Sequence, residues 1–170
     1  EFAELTVAAA MEQNPFMLSA VETGMNSISV SVSPKSKTRT YYCGYALKSD
    51  FDKYASTEEF IGSVRRKLSA SALIAGVSFE EYLAAQLVQG DHPFEFTGLK
   101  PETDYVVYAV GWYAPGDLLT TVLVSAPATT LPDASGEVTV TFENVASDGF
   151  DVVCTPDAAI EKYYVHVTKT

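Results

Sequence analysis

The chain has 170 residues, 47% of them apolar and 19% charged, with a formal net charge of −11; that is room for one domain, or one and part of another, with a real core, and it excludes a disordered chain. No run of about 18 apolar residues occurs, so no membrane-spanning helix is expected, and an acidic chain without clustered Lys and Arg excludes nucleic acid as a partner. Ten Tyr and nine Phe, many in alternating segments, lean towards β-structure.

The first residue is Glu1 and no basic-then-apolar leader precedes it, so the expectation is a removed leader or a piece of a longer protein. Residues 1–15 read as a linker or a leading strand. Alternation of apolar and polar residues predicts strands at Phe16–Val21, Ile28–Ser33 and Thr40–Leu47. The period then changes from two to nearly four. Ser56 with Glu59 forms a capping box ahead of the stripe Phe60, Ile61, Val64, Leu68, with Glu58 and Glu59 at the positive end and Arg65, Arg66 and Lys67 expected at the negative end. Ser78 and Glu81 repeat the device ahead of Phe79, Leu83 and Leu87, and Gly90 is expected to stop this second helix. Strands resume at His92–Thr97, Tyr105–Trp112 and, after the turn Ala114-Pro115-Gly116-Asp117, Leu118–Ser125. Such spacing predicts a mainly β protein, an antiparallel β-sandwich with a two-helix insertion at about 51–90, after the third strand.

Residues 149–169 resemble residues 27–48. Each stretch opens on alternating residues that end at a proline, Pro34 or Pro156, and each has a Tyr-Tyr pair beginning seven residues later, at Tyr41-Tyr42 or Tyr163-Tyr164. Upstream, Phe16, Leu18 and Ala20 fall against Val138, Val140 and Phe142 without a gap. Tandem copies of one unit are the expected explanation. Residues 133–170 then read as the first three strands of a second, incomplete copy; the alternative is that these strands exchange into the sheet of a neighbouring chain.

Leu99, Pro101, Thr103 and Tyr105 form the pattern Leu-x-Pro-x-Thr-x-Tyr, followed by Val107 and Ala109 in alternation. This resembles the loop and sixth strand of fibronectin type III domains, part of the wider immunoglobulin-like sandwich group. The resemblance implies that the Tyr105 hydroxyl bonds back to the preceding loop as a tyrosine corner, that Pro101 stiffens that loop and that Leu99 anchors it. It covers about residues 16–131, and the ending Ala128-Thr129-Thr130-Leu131-Pro132 is similar to the way such domains hand over to the next. Two departures stand out: Ile28 and Val30 occupy the second strand where a Trp is usual, and the helical insertion replaces a short fourth strand. The whole layout is similar to domains strung together in surface lipoproteins of Bacteroidetes, which implies an extracellular or cell-surface location, in an outer-membrane lipoprotein.

No catalytic chemistry is encoded at recognisable spacing. His92 and His166 stand far apart without a second ligand near either; His166 reads as an outward strand residue and His92 as a turn residue. Cys43 and Cys154 sit on apolar strand faces and read as unpaired core thiols. Gly76-Val77-Ser78 is half of a nucleophile elbow at best, and Ser78 is better explained as a cap. Glu58-Glu59 and Glu80-Glu81 belong to first helical turns. Neither a calcium loop, a phosphate loop nor an Arg-Gly-Asp triplet occurs. No metal or other cofactor is expected. The candidate contact site is Trp112-Tyr113 leading into the tip at Asp117, where aromatic rings can meet a sugar or a protein partner; the alternative is that Trp112 packs against the inserted helices.

The expected function is therefore a non-catalytic extracellular module for adhesion, contact with a surface protein or carbohydrate, or spacing. The alternatives are an accessory region of a secreted peptidase or glycoside hydrolase whose catalytic part lies elsewhere, and a structural subunit that exchanges strands through residues 133–170.

Overall fold

The computed structural model describes residues 14–133, 136–157, 160 and 163–166. The chain divides into two compact units, residues 1–131 and 132–170. It is mainly β, with several antiparallel sheets and few helices. The expected linker or leading strand at 1–15 lies outside the described residues except for Asn14 and Pro15.

In the first unit β1 (Phe16–Thr23), β2 (Ser27–Pro34) and β4 (His92–Thr97) form one antiparallel sheet, in the order β1-β2-β4. β3 (Tyr41–Leu47), β5 (Asp104–Tyr113), the two-residue β6 (Leu118–Leu119) and β7 (Val124–Thr129) form the other, with β3 and β7 on either side of β5. Strand β2 shows how the sequence sets this up. Its serines alternate with Ile28, Val30 and Val32, which are all but fully buried, because successive side chains point to opposite faces of a strand. Those three residues share a core with Tyr41 and Cys43 of β3, Tyr105, Val107 and Ala109 of β5, and Ala128 of β7. The two sheets are thus joined through one apolar layer. In β1 the register slips between Ser19 and Glu22, where Ala20 takes a φ of 48°. The expected single strand Leu118–Ser125 is broken into β6 and β7. The break follows from Gly111, which accepts the Thr120 N–H on its carbonyl at 2.8 Å and donates its own N–H to the Thr121 hydroxyl at 2.8 Å.

Between β3 and β4 run α1 (Lys48–Phe51), α2 (Thr57–Ala75) and α3 (Phe79–Gln86). Phe60, Ile61, Val64 and Leu68 of α2 and Leu83 of α3 pack on Tyr108, Val110 and Trp112, the β5 residues that point away from the inter-sheet core. β5 is therefore buried on both faces over eight consecutive residues, which is why its sequence is an almost unbroken apolar run. At roughly 1.5–3 kcal/mol per fully buried large apolar side chain, this layer fixes the helices to the sheet.

Three details of the helices differ from expectation. At α2 the Ser56 hydroxyl accepts the Glu59 N–H, but Glu59 reaches past the cap to the Ala55 N–H; the reciprocal box forms only at Ser78 and Glu81. Helix α2 continues to Ala75, so Arg65, Arg66 and Lys67 lie in its middle and no basic residue occupies its last turn. It stops at Gly76, whose φ of 70° lets the Gly76 and Val77 N–H groups close on the carbonyls of Leu73 and Ala72. Gly90 is also left-handed, but α3 ends earlier, at Gln86, and the Gly90 carbonyl instead accepts the Tyr41 hydroxyl at 3.0 Å.

In the second unit β8 (Val138–Glu143) pairs antiparallel with β9 (Asp151–Pro156). Residues 163–166 are not in a strand, and the rest of the expected third strand, 167–169, lies outside the described residues.

Candidate functional site

The loop before β5 is tied down by side-chain and backbone bonds. Leu99 is buried in the inter-sheet core, and its N–H and carbonyl pair with the Asn26 carbonyl and amide nitrogen, each at 3.0 Å. The Tyr105 hydroxyl oxygen accepts the Lys100 N–H at 2.9 Å. The Thr103 hydroxyl donates to the Pro101 carbonyl at 2.7 Å and its N–H donates to the Thr130 hydroxyl at 3.0 Å. Thr130, buried at 2% exposure, donates in turn to the Lys100 carbonyl at 2.7 Å. The four residues of the Leu-x-Pro-x-Thr-x-Tyr pattern are thus brought together. Asn26 and Thr130 complete the loop but carry no sequence signal beyond being hydrogen-bonding residues next to strand ends.

The β5–β6 hairpin holds the candidate contact residues. Its turn closes through the Asp117 N–H to the Ala114 carbonyl at 3.0 Å, with Gly116 and Asp117 both at positive φ. That geometry suits Gly and Asp at these positions. The Asp117 carboxylate accepts the Trp112 indole N–H at 2.9 Å and lies 2.9 Å from the Arg65 Nε. The Arg65 guanidinium also stands over the indole, 5.6 Å from the ring centroid. Tyr42 and Phe79 meet the same indole edge-on at 6.3 and 6.5 Å. Trp112 is accordingly fully buried; it packs against the inserted helices and offers no face to a partner. Asp117 is the knot of a clasp between the turn and α2. What the hairpin does present is Tyr113, 50% exposed, directly across the ladder from Leu118, 57% exposed. Leu118 and Arg65 escape a sequence reading. Leu118 is half of a Leu-Leu pair whose outward member is set only by register, and Arg65 sits in a run of three basic residues on α2.

The other candidate residues lie apart from the hairpin tip. The thiol of Cys43 is buried and burial pushes it up to about 12; Cys154 is also free. Desolvation likewise raises the phenols of Tyr41, to about 12, and of Tyr42 and Tyr108. His92 is exposed, its ring edge-on to Phe94 at 4.8 Å, and exposed His166 stacks on Tyr164 at 6.2 Å. The Ser78 hydroxyl and N–H hold the Glu81 carboxyl below its ordinary value. Among the described residues no group of three or more His, Cys, Asp or Glu is placed to hold a metal ion, and no helix is long and apolar enough to cross a membrane. No protein-family model matches the sequence, and no curated protein matches it.

Proposed function

We propose that this chain is a non-catalytic contact or spacing module of a cell-surface or secreted protein, built on a fibronectin type III-like sandwich with its helical insertion laid on the outer sheet face. The strand order, β1-β2-β4 facing β3-β5-β7, and the Tyr105 corner support the sandwich reading. The observation that carries the contact role is the hairpin tip. Tyr113 and Leu118 stand exposed and adjacent on a turn already clamped by Asp117, Trp112 and Arg65. A pre-ordered aromatic and aliphatic pair loses little conformational entropy on meeting a partner, so it suits a protein or carbohydrate surface.

The test is to pass the purified 170-residue chain, beside a Tyr113→Ser/Leu118→Ser variant, over a glycan array and a panel of extracellular proteins. Binding that the double variant loses is the expected result for the contact role. Binding that the variant retains removes the hairpin from it, and silence throughout leaves the spacing role. Turnover of any peptide or glycoside in the panel refutes the non-catalytic reading.

A further inference from the structure

The second unit carries a groove of about 490 Å³ across one face of β8 and β9. Its floor is Val138, Val140 and Phe142 from β8 and Phe150, Val152 and Cys154 at the start and along β9, and Tyr163 and Val165 border it. Five of these, Val140, Phe142, Phe150, Tyr163 and Val165, are about half exposed or more. So open an apolar face on so small a unit is, among the described residues, without cover.

The first unit shows what the partner looks like. Over their first four pairs β8 and β9 keep the register of β1 and β2, shifted by a constant 122 residues; beyond Ser19 β1 slips by one residue while β8 continues in step. Phe16 faces Pro34 as Val138 faces Pro156, and Leu18 faces Val32 as Val140 faces Cys154. The same shift takes Ile28 to Phe150, Val30 to Val152, Tyr41 to Tyr163 and Cys43 to Val165. In the first unit these positions are no more than 7% exposed. They are covered by the inner face of β5, Tyr105, Val107 and Ala109, which lies antiparallel beside β3. In the second unit Phe150, Tyr163 and Val165 are about half exposed and Val152 is partly so.

We propose that this groove is the seat of a β-strand from outside residues 1–170, with the chemistry of β5: an inner face reading aromatic, β-branched, small at alternate positions, laid antiparallel beside residues 163–166. Pairing would satisfy backbone groups along that segment while the alternate side chains fill the groove. A second copy of this chain fits less well. From residue 132 to 170 the sequence carries Asp133, Glu137, Glu143, Asp148, Asp151, Asp157 and Glu161 against Lys162 and Lys169, so two copies meeting there would bring together two net-acidic units. This inference stands on the register match and is independent of the hairpin-tip contact proposed above.

The probe is a synthetic peptide, Tyr-Val-Val-Tyr-Ala-Val-Gly as in residues 105–111, with two lysines at each end and a fluorescent label. Titrated with the 170-residue chain, it is expected to show saturable anisotropy, to lose affinity at least tenfold against a Val140→Glu/Val152→Glu variant, and to fail when its third residue is proline. With the unaltered chain, alkylation of Cys154 is expected to slow several-fold as the peptide saturates, so the result does not depend on the variant folding. No saturable binding, binding indifferent to the variant or to the proline, or an unchanged Cys154 rate at saturation overturns the proposal. A chain that already sediments as a dimer and becomes monomeric on Val152→Glu overturns it in favour of self-association.

Discussion

The Asp117 clasp is the feature most open to a quantitative test. Replacing Asp117 by Ala removes the acceptor of the indole N–H of a fully buried Trp112. An orphaned buried donor costs about 1–3 kcal/mol. The partly exposed pair with Arg65 contributes about 0.2–1 kcal/mol after screening, and Ala at the left-handed φ of 54° costs about 1 kcal/mol more. Together these predict a loss of about 2–5 kcal/mol, or a urea midpoint lower by about 1–2.5 M at an m near 2 kcal/mol/M.

The mechanism, as distinct from the sum, is read from a double-mutant cycle with Trp112→Phe. Phe has no donor to orphan, so in that background Asp117→Ala keeps the ion-pair and backbone costs and loses the first. The expected coupling between the two sites is that first cost, about 1–3 kcal/mol. Trp112 is the sole Trp, so far-UV circular dichroism in urea is the readout common to all four proteins. A coupling under about 0.5 kcal/mol refutes the reasoning, since the carboxylate would then be acting through Arg65 or the turn alone.

Tyr105→Phe removes the acceptor of the Lys100 N–H and is expected to cost about 1 kcal/mol, a Tm lower by roughly 3–6 °C; an unchanged Tm in a thermal melt counts against the corner as a brace. Gly44→Ala would put a Cβ 2.9 Å from both the Tyr108 hydroxyl and a Tyr42 ring carbon, an overpacking cost of about 1–3 kcal/mol. Gly76→Ala meets open space and costs only the left-handed backbone penalty of about 1 kcal/mol, so Gly44→Ala showing the smaller urea shift refutes the packing picture. Alkaline stability follows from the buried thiol and phenols. Burial raises Cys43 from 9.0 to about 12 and Tyr41 from 10.0 to about 12, and raises Tyr42 and Tyr108. Their folded forms hold protons that the unfolded chain releases, so their contribution is complete below about pH 9 and is lost as the pH rises towards 12. Absorbance at 295 nm should show these phenols ionising only with unfolding, and a reversible tyrosinate titration of all ten Tyr without loss of structure would contradict it.

Much of the fold is legible because alternation is a strong signal wherever one face of a strand is wet. The serines of β2 and the alternate residues of His92–Thr97 place both strands within a residue or two of where they lie. β5 is legible for the opposite reason, as an apolar run too long for one face, yet the run says only that both faces are covered and not by what. The helix caps at Ser56 and Ser78 are local chemistry and appear where expected, whereas the end of α2 hangs on reading Gly76 as a left-handed stop. The hairpin tip is the least legible part. Trp112, Tyr113, Gly116 and Asp117 mark a turn with aromatic neighbours, but which ring faces out depends on the register of β6 and on Arg65, 52 residues upstream of Asp117. Non-local partners of this kind leave no mark in a local pattern.

The two faces of β5 also account for where many of the first unit's aromatic rings go. Tyr105, Val107 and Ala109 close the inter-sheet core, and Tyr108, Val110 and Trp112 seat the helices. The insertion is thereby part of the unit's stability, because removing it would bare Tyr108, Val110 and Trp112 along the central strand of a sheet. Phe51 and Phe60 pack at 4.6 Å and Phe60 meets Tyr108 edge-on at 4.9 Å, so rings that elsewhere line a ligand pocket here join helix to sheet. Apolar residues that remain exposed are then the informative ones. In the first unit they include the Tyr113–Leu118 pair on its clamped turn. In the second they include Phe150, Tyr163 and Val165, the counterparts of Ile28, Tyr41 and Cys43, which the first unit buries in the core that β5 closes.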